Sequence, residues 1–256
     1  MAGSPEGLRG VNGPQSTGEG SRGLSTTESE RSASAKDRDR LWTRGGAAVG
    51  VMSIVITTVG FVLHGTLPMA ETGTDVAQWA AHTNDSTFSI GIYVELLGYL
   101  LFLIFGAWLW SIVHRRTNGL DWLAMAGLVA AALFIGASSI DDGIWLALLN
   151  SARTGTDSQA LALVRDAGEQ VFNVSFMFLG LFAILVGSVS WAAGSLPRWV
   201  GGAAVALGVG TLVPPLALIG SLLLEAWVLV LCLYVLVRPE SARREDVALS
   251  IEPPTP

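Results

Sequence analysis

Between Gly45 and Val237 the chain runs 193 residues with only 16 charged side chains. Average soluble domains carry about 25% charged residues. No water-facing surface can be built around a segment so poor in charge, so this stretch excludes an ordinary soluble enzyme. The remaining 20 charges lie in the 63 residues of the two ends. The distribution is that of a polytopic membrane protein with polar tails.

Residues 1–44 are rich in Ser, Gly, Thr and mixed charge, with few large apolar side chains. Such a segment cannot bury enough surface to fold by itself, so it reads as a disordered cytoplasmic tail rather than a signal peptide. Residues 239–256, ending Pro253-Pro254-Thr255-Pro256, read the same way. No region is basic enough for nucleic acid, and the chain's partner is the lipid bilayer. Cys232 is the single cysteine and lies in an apolar run, where a cysteine behaves as a small hydrophobe. One lysine among fifteen basic residues, with abundant Ala, Gly and Val, fits a GC-rich bacterial genome.

Charges delimit the apolar runs at about residues 45–65, 88–113, 122–150 and 171–193. The last run, 199–237, has 39 residues. As one helix it would be about 58 Å long, roughly twice the hydrocarbon thickness. It must turn back, and Pro214-Pro215 supplies the break. Two spans, 199–213 and 216–237, bring the total to six. The fold class is therefore all-α: a membrane helical bundle over 45–238 with six transmembrane helices and both termini cytoplasmic. With that count, 13 Lys/Arg fall on the side of the tails and only Arg153 and Arg165 on the other. This is the positive-inside pattern of a multi-pass protein of the cytoplasmic membrane. Trp42, Trp108, Trp110, Trp122, Trp191 and Trp199 fall at span ends, where indoles prefer the headgroup level.

Gly46 and Gly50 form one small-residue face, and Gly202, Ala206 and Gly210 another. Such faces let helices approach closely in lipid. They are read as packing faces within the bundle first and as a homo-oligomer surface second. Two loops carry amphipathic spacing. Val76, Trp79 and Ala80 predict a short helix over 74–82. Leu161, Val164 and Ala167 predict another over 157–167, with Asp157 or Ser158 as N-cap. Both are placed to cover the outer mouth of the bundle.

Ionisable groups inside spans are costly and mark functional sites by default. Four acids qualify: Glu95, Asp141, Asp142 and Glu225. From the span boundaries each lies about 10–14 Å below the outer surface, at 1.5 Å per residue. His64 and Asn173 stand near the outer ends of their spans and complete the candidate polar site. Gly91 and Gly98 share the face of Glu95, Ser138 and Trp145 that of the aspartates, and Ser221 that of Glu225.

Three chemistries are open to this layer. The acids can be protonated and hydrogen-bonded as glue between helices, or line a wet cavity that passes protons or a small cation. With His64 and His82 they can instead hold a divalent metal. Against the last, no His-x-x-x-His or His-Glu-x-x-His pair occurs, and no nucleophile elbow or phosphate loop is present. No cofactor is expected, no catalytic residue is assigned, and an enzyme is the less favoured reading. The favoured one is a non-enzymatic integral membrane protein with an acidic layer in its outer half. A small transporter or proton-coupled permease component is the alternative, and an intramembrane metal-dependent hydrolase the second alternative.

The run Phe178-Leu179-Gly180 through Gly187-Ser188, followed by Gly194-Ser195-Leu196-Pro197-Arg198-Trp199-Val200-Gly201, resembles an uncharacterised family of bacterial membrane proteins. In that family a Ser/Gly-x-Leu-Pro-Arg turn joins spans four and five. Glu95 near one end of its span with Arg115-Arg116 beyond the other is similar too. The resemblance covers about 45–238 and implies a six-helix bundle. It implies no catalytic residues, and the long N-terminal tail departs from the pattern.

Overall fold

The computed structural model describes residues 21–65, 72–114, 119–194 and 196–237, with side chains from residue 41 onward and without that of Pro214. The tail to residue 20, Arg115-Arg116, Ser195 and the C-terminal tail with Arg238, Arg243 and Arg244 lie outside the described residues. Among the described residues seven α-helices follow one another: α1 (Ser21–His64), α2 (Gly73–His82), α3 (Asp85–His114), α4 (Asp121–Arg153), α5 (Ser158–Ala193), α6 (Arg198–Leu212) and α7 (Ala217–Val237). A 3-10 turn, Pro214–Leu216, links the last two. No strand occurs among the described residues. The chain divides into two units, Met1–Trp42 and Thr43–Pro256.

In the first unit, α1 starts at Ser21. Part of the segment expected to be unstructured is therefore helical. Its sequence explains this, because Glu28 to Arg40 intersperses helix-forming Ala, Glu, Lys and Arg.

Among the described residues five helices are long and apolar enough to cross a membrane: Leu41–His64, Asp85–His114, Asp121–Arg153, Ser158–Ala193 and Ala217–Val237. The sixth expected span is α6, whose 15 residues reach only about 22 Å. By length and composition five spans stand, and α6 falls short of the usual 17-residue minimum. Leu97, Leu100, Leu133, Leu218 and Leu222 are each about half exposed or more, an outward surface suited to lipid rather than water.

The loop helix expected over 157–167 is not separate. It is the first part of α5, a continuous rod of 36 residues, about 54 Å long. Asp157 caps it, its carboxylate accepting from the amides of Gln159 and Ala160. Its inward positions there are Leu161 and Gly168, seven residues apart, while Val164 and Ala167 are exposed. Gly194 ends α5 in the left-handed region (φ 60°), which glycine adopts freely.

Helix α2 forms where its spacing predicts. A capping box opens it: the Thr72 hydroxyl accepts from the Asp75 amide and the Asp75 carboxylate from the Thr72 amide. Val76 and Ala80 are fully buried, in a cluster with Phe88, Ile92, Trp145, Leu148 and Leu161. Arg153, the last residue of α4, holds the other end. It donates to the Ala80 carbonyl through Nε (3.2 Å) and Nη2 (3.0 Å), to the Thr83 carbonyl, and to the Asp85 carboxylate. Arg153 is thus a structural clamp on the α2–α3 turn rather than a loop charge.

Small residues set the helix spacing. Gly46 lies against the Trp108 ring, and Gly50 against Cys232 and Phe105. This face packs inside the bundle. Trp108 is accordingly buried and fills that space instead of standing at the headgroups. On α6 the packing face is not Gly202, Ala206 and Gly210: Ala206 is exposed and Gly210 faces open space. Gly201 and Gly208 meet Gly187 and Gly180 of α5 instead. A Cβ on Gly208 would fall 2.6 Å from the Gly180 carbonyl, and one on Gly201 2.8 Å from the Gly187 carbonyl.

Candidate intramembrane polar site

The site begins where α1 and α3 touch. A Cβ on Gly60 would lie 2.5 Å from the Glu95 amide nitrogen. One on Gly91 would lie 2.5 Å from the His64 amide nitrogen. Gly98 faces Thr57, and the Ser53 hydroxyl donates to the Gly98 carbonyl at 3.0 Å. The room that Gly91 and Gly98 leave beside Glu95 is therefore taken by α1.

This close approach brings His64 onto Glu95. His64 Nε2 and Glu95 Oε2 are 2.7 Å apart, with both side chains more than nine-tenths buried. The second carboxyl oxygen, Oε1, accepts from the Tyr99 hydroxyl at 2.6 Å. Ser138 of α4 is Tyr99's next polar neighbour. Phe61 and Phe88 meet the His64 ring edge to face, at 5.2 and 5.9 Å. Trp79 of α2 packs on Phe88 (5.5 Å) and on Trp145 (6.1 Å). Trp79 is the ring that α2 adds to this cluster, and it reaches His64 through Phe88.

The other acids lie on neighbouring helices, Asp141 and Asp142 on α4 and Glu225 on α7. Asp141 and Asp142 are 5% and 8% exposed. Asp141 Oδ1, Asp142 Oδ2 and His64 Nδ1 are buried without a hydrogen-bond partner among the described residues. Trp145 is the polar neighbour of Asp141 one turn on, beneath Gly168 of α5. Glu225 is half-buried on the wall of a cavity of about 30 Å³, which Tyr99 also lines. Polar groups therefore run from His64 through Glu95 and Tyr99 to the cavity at Glu225, across α1, α3 and α7.

Two sequence candidates stand apart. Asn173 is exposed on α5 and takes no part in these hydrogen bonds. His82 is exposed and bonds through Nδ1 to the Gln78 carbonyl of its own helix. Ser221 is buried, but its hydroxyl donates to the Leu218 carbonyl one turn back. Among the described residues no group of three His, Cys, Asp or Glu side chains comes close enough to hold a metal ion. The metal-dependent reading has no ligand set to stand on there. Tyr99 is the member that sequence reasoning passed over. Its signal was its position four residues after Glu95, on the same helix face.

Long apolar helices with lipid-suited faces and a buried acid layer define a helical membrane protein. The match to the domain of unknown function DUF4386 extends over residues 45–239, and the chain belongs to that family. No curated protein and no solved structure matches it.

Proposed function

We propose that the protein is a non-enzymatic, six-span component of the cytoplasmic membrane whose acid layer takes up and releases protons in step with movement of a small solute or cation. The observation that carries this reading is the chain His64–Glu95–Tyr99. It joins a buried imidazole to a buried carboxyl 2.7 Å away. Asp141 and Asp142 add two buried carboxyls on α4. Inert helix glue would leave fewer buried carboxylate oxygens without partners than Asp141 and Asp142 do. Six spans rather than five follow if α6, with Trp199 exposed at its start, completes its crossing through the turn at Pro214–Leu216. The 13-to-2 division of basic residues then places both termini in the cytoplasm.

Proteoliposomes loaded with a pH-sensitive dye test the proposal. After a pH jump, wild-type vesicles carry protons faster than empty ones, and Glu95→Gln vesicles match empty ones while the variant stays folded by circular dichroism. Equal flux in wild type and Glu95→Gln would overturn it.

A further inference from the structure

The cavity beside Glu225 has a composition that selects its occupant. Its wall combines one carboxylate, Glu225, with the rings of Tyr99, Phe102, Phe134 and Phe182 and the hydroxyl-bearing residues Ser53 and Thr57. The rings brace one another edge to face: Tyr99 on Phe134 at 5.7 Å, Phe102 on Phe134 at 5.9 Å, Phe102 on Phe182 at 5.4 Å. No hydrogen bond reaches the Glu225 carboxyl among the described residues, and no Lys or Arg lines the cavity.

Each feature removes a class of guest. A wall that carries a carboxylate and no Lys or Arg disfavours anions. A wall made mostly of carbon suits a hard metal cation poorly, since such ions demand about six oxygen ligands. Aromatic rings and a carboxylate together recognise ammonium groups through cation–π and ionic attraction. Size does the rest. A cavity of about 30 Å³ holds two or three heavy atoms, because one water needs about 10–15 Å³.

From this we infer that the cavity is a binding site for a small ammonium ion, ammonium itself or methylammonium. The cation sits with its charge on Glu225 and its N–H or N–CH₃ groups against the rings of Phe134 and its neighbours. Tyr99 joins this site to the proton site, since it lines the cavity and donates to Glu95. Ammonium binding and protonation of the His64–Glu95 pair therefore oppose each other. This coupling rests on the proton reading above; the binding does not.

Isothermal titration of the full-length protein in detergent with methylammonium chloride, at constant ionic strength, tests the site. Wild type gives a saturable heat, weaker at lower pH, and sodium chloride gives none. Glu225→Gln abolishes the heat. Phe134→Leu, which keeps the charge, weakens binding about three- to tenfold, the size of one cation–π contact. Glu225→Asp, kept as a folded control by circular dichroism, retains weakened binding. A methylammonium heat that does not saturate, an equal response to sodium, or unchanged binding in Glu225→Gln would overturn the proposal. Saturable binding without pH dependence, alongside absent proton flux, would remove the proton reading and leave the cation site standing.

Discussion

Two glycine seams hold this bundle, and they do different jobs. Between α5 and α6, Gly180 and Gly187 face Gly208 and Gly201, each pair seven residues apart on its own helix. Backbone meets backbone there, and the hydroxyl of Thr211, packed against Gly180, is returned to Gly208 of its own helix. Between α1 and α3, Gly60, Gly91 and Gly98 allow the same closeness. That closeness carries His64 to within 2.7 Å of Glu95. The same device is scaffolding in one place and positions chemistry in the other. Close approach alone is therefore no sign of a site; it becomes one where it joins ionisable groups.

The contrast can be broken by substitution. The largest effect is expected at the structural seam. Gly208→Val forces a branched side chain onto the Gly180 carbonyl and costs about 3 kcal/mol, the upper range for overpacking. Thermal unfolding in detergent would report it, with proton flux per folded molecule unchanged. Gly91→Ala is expected to cost less stability, about 1–2 kcal/mol, yet to remove most of the flux, because α1 must shift and take His64 with it. If both variants lose stability and flux in the same proportion, the distinction between the seams is wrong.

Next in size is the clamp at the α2 end. Arg153→Ala deletes charge-assisted bonds to the Ala80 and Thr83 carbonyls. A loss of about 2 kcal/mol in local stability speeds amide exchange in α2 roughly thirtyfold, with α5–α6 unaffected. Exchange that rises uniformly over the chain would contradict a local clamp. Smallest is Tyr99→Phe. It removes one hydrogen bond to Glu95, worth about 1 kcal/mol. It is expected to shift the pH dependence of flux more than the melting temperature.

Much of this was legible in the residues, for physical reasons. Charge cannot hide in lipid, so the long apolar helices are legible from where charge is missing, and Glu95, Asp141 and Asp142 are legible as acids inside them. Helix α2 was legible because its two faces differ, with Val76 and Ala80 opposite polar positions. The rest failed where lipid removes that difference. A span is apolar all round, so Gly201 and Gly208 could not be told from Gly202 and Gly210 without the partner helix. Trp108 looked like an interface marker until Gly46 was seen to make room for it. The continuity of α5 rested on the inward pair Leu161 and Gly168, and a small residue gives no apolar signal. The Tyr99 bond to Glu95 was within reach of i, i+4 reasoning.

On the proposed function, Glu95 and its neighbours exchange protons inside the bundle. Infrared difference spectroscopy of the purified protein across a pH titration reads this directly. The account predicts a protonated-carboxyl band that appears and disappears with pH, moves in Tyr99→Phe and is lost in Glu95→Gln. A carboxyl region that does not change with pH, or that changes identically in wild type and Glu95→Gln, would contradict it.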